Sequence, residues 1–131
     1  MTGLQFFRVP FTPDDGLPQA VSCPVGAGTY DFAVYASLNV PAEDPLDTVY
    51  DLAWPGPVAG RIGIPRGHLV VRVSAGPRIL LLRKLVPEPA LVHLAGPLAL
   101  TLHEARIAHG NLNGAGRFGS VIRLGVAERW A

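Results

Sequence analysis

His68-Leu69-Val70-Val71-Arg72-Val73-Ser74, then Ala75-Gly76-Pro77, then Arg78-Ile79-Leu80-Leu81-Leu82-Arg83-Lys84-Leu85-Val86: two apolar runs around three turn-forming residues decide the fold class. The first run is rich in β-branched valines, which pack well on a pleated surface and lose rotamer freedom in a helix. Gly supplies the positive φ that a tight reversal needs, and Pro fixes φ while removing a donor. The pair therefore reads as a β-hairpin. Alternation within the first run sends Arg72 to the solvent face.

The same punctuation recurs outward in both directions. Gly and Pro contribute 15 and 13 of 131 residues, and they cut the chain before any stretch is long enough for a substantial helix. Upstream, residues 4–9 read as a strand stopped by Pro10, residues 12–16 as a turn, and residues 19–25 as a second strand. Tyr30, Phe32 and Val34 alternate with Asp31, Ala33 and Tyr35, the period of two that marks a half-buried strand. Residues 39–47, polar and holding two prolines, form the longest exposed loop. Residues 49–54 resume extended structure, and residues 58–64 are short and Gly-broken. Downstream, residues 90–94 and 97–103 are strands, with Leu98, Leu100 and Leu102 opposite Ala99, Thr101 and His103. Residues 104–109 make a helical turn or an irregular edge, residues 110–119 a Gly-rich loop, and residues 120–127 a last strand. The expectation is one all-β domain over residues 1–131, a compact antiparallel β-barrel or sandwich of about eight to ten short strands with Gly/Pro-rich loops. Residues 1–28 are an N-terminal arm or strand pair, and residues 127–131 a C-terminal tail.

Charged residues make up 16% of a chain that is 49% hydrophobic, against roughly 25% charged in an average soluble protein. Apolar surface covered by another chain would account for that, as would a well-filled barrel. No window approaches the ~20 apolar residues of a membrane-spanning helix, and the opening residues do not have the form of a secretory leader. Cys23 is the one cysteine, so no intrachain disulfide or cysteine metal cluster forms, and its apolar setting points to an inert buried thiol. The formal charge of +1 is unevenly spread. Residues 1–65 hold seven acids against Arg8 and Arg61, and residues 66–131 hold nine bases against Glu88, Glu104 and Glu128. Such a dipole suits head-to-tail association, unless the two halves interleave and their charges mix.

Candidate chemistry is thin. His103 and His109 flank Glu104 at a spacing that suits neither a helical nor a strand metal site, and His68 and His93 join them only if the fold brings them near. Residues 110–119 resemble a phosphate loop only in glycine content, without the Lys or the following helix that chemistry requires. The acidic run Glu43-Asp44-Pro45-Leu46-Asp47 does not have the pattern of a calcium loop. Ser22, Ser37, Ser74 and Ser120 have no nucleophile-elbow context. The bases from Arg61 to Lys84 could follow a nucleic-acid backbone, but no stacking aromatics accompany them. The reading assigns no catalytic residue, no cofactor and no metal, and a non-enzymatic protein.

Tyr35-Ala36-Ser37-Leu38-Asn39, Val49-Tyr50-Asp51-Leu52, Ala59-Gly60-Arg61-Ile62-Gly63-Ile64, Gly96-Pro97-Leu98-Ala99-Leu100 and the closing run from Gly116 to Leu124 follow one another in a telling order. In that order residues 30–126 resemble the small baseplate plug proteins of tailed bacteriophages and related contractile injection machines. The resemblance implies a structural virion component of the tail or baseplate, assembled in the host cytoplasm. It would pack against hub and tube proteins and copies of itself, with no membrane span and no nucleic acid. The expected contact residues are exposed apolar and aromatic ones in loops and at termini: Phe6, Phe7, Leu46, Trp54, Phe118 and Trp130. Arg117 and Arg129 serve as polar anchors. A capsid decoration protein and a small-molecule-binding β-barrel are the alternatives.

Overall fold

The structure is a computed structural model that describes residues 5–53, 57–58, 61–62 and 66–129, with backbone alone at the two short pairs. In chain order the strands are β1 (Phe7–Arg8), β2 (Gln19–Val25), β3 (Gly28–Leu38), β4 (Val49–Asp51), β5 (Pro57–Val58), β6 (Arg61–Ile62), β7 (Gly67–Ala75), β8 (Arg78–Leu85), β9 (His93–Ala95), β10 (Leu98–Ala108) and β11 (Val121–Glu128). Two short 3₁₀ turns, Pro13–Asp15 and His109–Asn113, complete the order.

The strands form two antiparallel sheets packed face to face. One runs β1-β11-β10-β4, with β9 also on β10; the other runs β2-β3-β7-β8; β5 and β6 pair separately. The molecule is therefore a sandwich rather than a closed barrel. The N-terminal 28 residues are divided between the sheets, with β1 on β11 and β2 on β3.

Three hairpins share one construction. Gly26-Ala27, Gly76-Pro77 and Gly96-Pro97 each join strands whose last and first residues face one another. In each, the leading glycine has a φ near +57 to +59°. Positive φ at the first loop position, with Pro or Ala second, is the mirror-image turn whose twist matches the flanking strands. The β7–β8 loop is thus two residues, one shorter than expected, because Ala75 pairs with Arg78.

Alternation then places the core. Leu69, Val71 and Val73 of β7 are fully buried and meet Phe32 and Val34 of β3 on the same face. Leu98, Leu100 and Leu102 of β10, with Ile122, Leu124 and Val126 of β11, supply the opposing layer. Each such side chain stabilises the fold by about 1.5–3 kcal/mol. The exposed ion pairs of Arg106 with Asp51 and Glu104, each at 3.8 Å, contribute at most about 1 kcal/mol. Burial decides this fold.

The structure departs from expectation in β10. Residues 104–108 continue the strand, and the register slips between Leu102 and Glu104, so His103 sits at a bulge. Ala99 and Thr101, which alternate with the leucines, are buried as well. The front of the Gly-rich segment is a 3₁₀ turn, and the final strand reaches Glu128 inside the segment read as a tail.

Candidate assembly surfaces

The sandwich has two unlike ends. The three hairpin turns lie at one, where Arg129 holds the β9–β10 turn: its backbone N–H donates to the Pro97 carbonyl and its Nη1 to the Gly96 carbonyl. At the other end meet the segment around Asp14, residues 39–48, and the stretch from His109 to Ser120.

Asn111, fully buried, organises that second end. Its Nδ2 donates to the carbonyls of Asp14, Gly114 and Gly116, while its Oδ1 accepts from the Ser120 hydroxyl at 2.5 Å. The Ser120 Oγ in turn accepts from the Ala108 N–H. The Asp14 carboxylate accepts from the N–H groups of Gly119 and Ser120. Every member is satisfied, which makes a buried polar network rigid rather than costly. Phe118, half-buried, lies so close over the backbone that a Cβ on Gly116 would stand 2.2 Å from its ring, and one on Gly110 2.5 Å. The Gly-rich segment is therefore a fixed structural element, with Gly110 and Gly116 needed for contact with one aromatic ring and Gly114 and Gly119 for positive φ.

The acidic loop is equally well held. Asp44 accepts from the Tyr50 hydroxyl, which pushes the Tyr50 phenol above its ordinary pKa, with burial adding to the effect. The His109 ring hydrogen-bonds the Asp44 carbonyl through Nδ1 at 2.9 Å. The Leu46 carbonyl accepts from Gly110 N–H, and Thr48 N–H donates to the Pro45 carbonyl. On this fixed turn the Leu46 side chain is 56% exposed, and the acids Glu43, Asp44 and Asp47 surround it in sequence. Asp14 and Asp15 lie at the same end. Although the two halves of the chain interleave in both sheets, five of the seven acids of the N-terminal half gather here, in the company of Arg66 and Arg117.

A second surface lies on the outer face of the β1-β11-β10 sheet. A notch of ≈ 280 Å³ is walled by Phe6 and Phe7, backed by the β11 backbone at Leu124 and Gly125, and rimmed by Arg8, His103 and Arg123. Gly125 forms its floor: a Cβ there would approach Phe6 Cβ to 3.4 Å and Thr101 Oγ1 to 3.0 Å. Arg8 gives one donor to the Ile122 carbonyl at 3.3 Å. His103 Nε2 hydrogen-bonds Thr101 Oγ1. Glu104 stands across the ladder from Arg123, yet its ion pair is with Arg106. Among the described residues no carboxylate lies within ion-pair distance of Arg8 or Arg123.

The expected contact residues thus separate into groups. Phe6 and Phe7 line the notch; Leu46, Arg117 and Phe118 share the loop end, with Arg117 exposed and Phe118 more packed than expected; Arg129 caps the hairpin end. Trp54 and Trp130 lie outside the described residues. Sequence reasoning missed Arg8, His103 and Arg123, whose convergence requires a bulge and a pairing between the two ends of the chain. It also missed Ile79, Leu82, Leu91, Val92 and Leu94, all 41–59% exposed along β8, β9 and the segment between them. Alternation could not have found both Ile79 and Leu82, which are three residues apart; the register slip between Val73 and Ser74 intervenes between them.

His103 and His109 do not meet, and no group of three or more His, Cys, Asp or Glu able to hold a metal occurs among the described residues. His93 is buried near Arg83, and burial first, then that guanidinium, lowers its pKa, with Glu88 opposing. No helix among the described residues is long and apolar enough to cross a membrane. No protein-family model, characterised protein or solved structure matches the chain.

Proposed function

We propose that this chain is a non-enzymatic structural subunit that packs against other protein subunits in a large assembly. The observation that carries this reading is the distribution of large apolar side chains. The space between the sheets is already filled by Phe32, Leu52, Leu100, Leu124 and their neighbours, yet Phe7, Leu46, Ile79, Leu82 and Leu94 remain 45–59% exposed. Several of these stand on edge strands or on loops fixed by hydrogen bonds, where the ordering cost of binding has already been met in folding. Exposed apolar patches on rigid elements are the ordinary mark of a protein–protein surface.

The particular setting, the tail or baseplate of a phage-like particle, follows from the sequence resemblance alone. Its test is fractionation of particles purified from the source by density gradient, probed with an antibody against the chain. The expected result is a constant ratio of the chain to hub and tube proteins across the particle peak. Recovery only among small soluble proteins would overturn the reading.

A further inference from the structure

We infer that the loop carrying Leu46 is a plug for the notch beside β1 on a second copy of the same chain, so that copies join head to tail. The inference rests on the reading of the chain as an assembly subunit, and it names one partner and one contact.

Complementarity of shape and charge carries the argument. The plug is a single leucine, 56% exposed, flanked by Glu43, Asp44 and Asp47. The notch offers the converse, apolar walls from Phe6 and Phe7 inside a rim of Arg8, His103 and Arg123. Guanidinium groups bind carboxylates through paired N–H donors, and Arg8 has spent one of its donors on Ile122. Both parts are preformed. Leu46 sits on a turn fixed by Gly110 and Thr48, and the notch floor is the backbone of β11 at Gly125.

The two surfaces cannot meet within one molecule. Leu46 is bonded to Gly110 beyond the end of β10, whereas the notch is centred near Gly125, which pairs with Thr101. At about 3.3 Å per residue that is more than ~20 Å along the sheet, and β1 and β4 are opposite edges of it. A plug and a notch on different parts of one surface make a heterologous contact, which repeats into a ring or an open stack.

The test uses the full chain, followed by sedimentation velocity over a concentration series at low and at physiological ionic strength. Mass should rise with concentration, and the association should weaken as salt screens the rim charges. Leu46→Ser and Arg123→Glu should each weaken association at least tenfold while leaving the thermal midpoint within a few degrees of the parent, since both side chains face solvent. Mixed in equal amounts, the two variants should form a capped dimer and nothing larger, because one retains only a notch and the other only a plug. A parent chain that stays monomeric at every concentration overturns the inference. So do single variants that associate like the parent, or a mixture that stays monomeric while the parent associates. A monomeric chain would leave the assembly reading standing, because the subunit's partners would then be other proteins. Recovery of a self-associating chain outside all particles would count against that reading alone.

Discussion

Asn111 is where single-residue effects should be largest. Its side-chain amide shares two N–H donors among three backbone carbonyls and accepts from one hydroxyl, with no exposure to solvent. Removing one partner of a buried hydrogen bond leaves the other desolvated, at about 1–3 kcal/mol. Asn111→Ala should therefore lower stability by about 2–3 kcal/mol in denaturant titration, and Asn111→Asp should be no better, because a carboxylate has no N–H to give those carbonyls. A gentle change in either variant would mean that water replaces the amide. Gly116 offers a cleaner comparison. Gly116→Ala drives a methyl into the Phe118 ring, so its cost should shrink when Phe118 is already Leu, a coupling that a double-mutant cycle measures. His93 carries the residue-scale pH dependence. Its native pKa lies below the ordinary value of about 6.5, so the unfolded chain binds the proton more readily. The stability its neutral form contributes is complete above that value and is lost as pH falls through it towards the depressed native pKa. His93→Gln should accordingly flatten the decline in unfolding free energy as pH falls below about 6.5. An unchanged slope would assign the decline to other groups.

At the scale of elements, local chemistry settles the hairpins. Gly76 has a φ of +57° and nothing within 4 Å of where a Cβ would stand, so Gly76→Ala isolates backbone strain from packing. Its expected cost is about 1–2 kcal/mol, read as a shift in the denaturant midpoint. A negligible shift would mean that the turn can change type without disturbing β7 and β8. The same local rules made most of the sandwich legible in the sequence. Alternation assigned the faces of β3 and β7 correctly, down to Phe32 and Val34 inward and Arg72 outward, because side-chain direction in a strand is a property of neighbouring residues. The 3₁₀ turn His109–Asn113 was not legible, since it is held by Asn111 and Asp14, 97 residues apart in sequence. The bulge at His103 left no local mark either. Of the candidate contact residues, Phe6, Phe7 and Leu46 could be found as apolar residues beside turns and prolines. The arginines that complete the notch could not, because Arg8 and Arg123 share a face only once β1 pairs with β11.

For the whole molecule, that pairing is the governing fact. Phe7 lies opposite Val126 and Arg8 opposite Gly125, so the sheet that carries the notch is completed by joining the two ends of the chain. Contacts so distant in sequence incur the full entropy of loop closure before they return any stabilisation, whereas β7 and β8 meet across two residues. The physical expectation is an order of events: the β3-β7-β8 region is organised in the folding transition state and β1 docks after it. Two fully buried valines separate these possibilities. Val71 lies in the middle of β7, and Val9 follows β1 with its N–H donating to the Leu124 carbonyl at 2.9 Å. Truncating either to Ala opens a cavity of similar chemistry. Val71→Ala should slow refolding in stopped-flow measurements, while Val9→Ala should leave the refolding rate near that of the parent and appear almost wholly as faster unfolding. If Val9→Ala slows refolding as much as Val71→Ala does, the ends of the chain meet early, and the surface they build forms with the fold rather than last upon it.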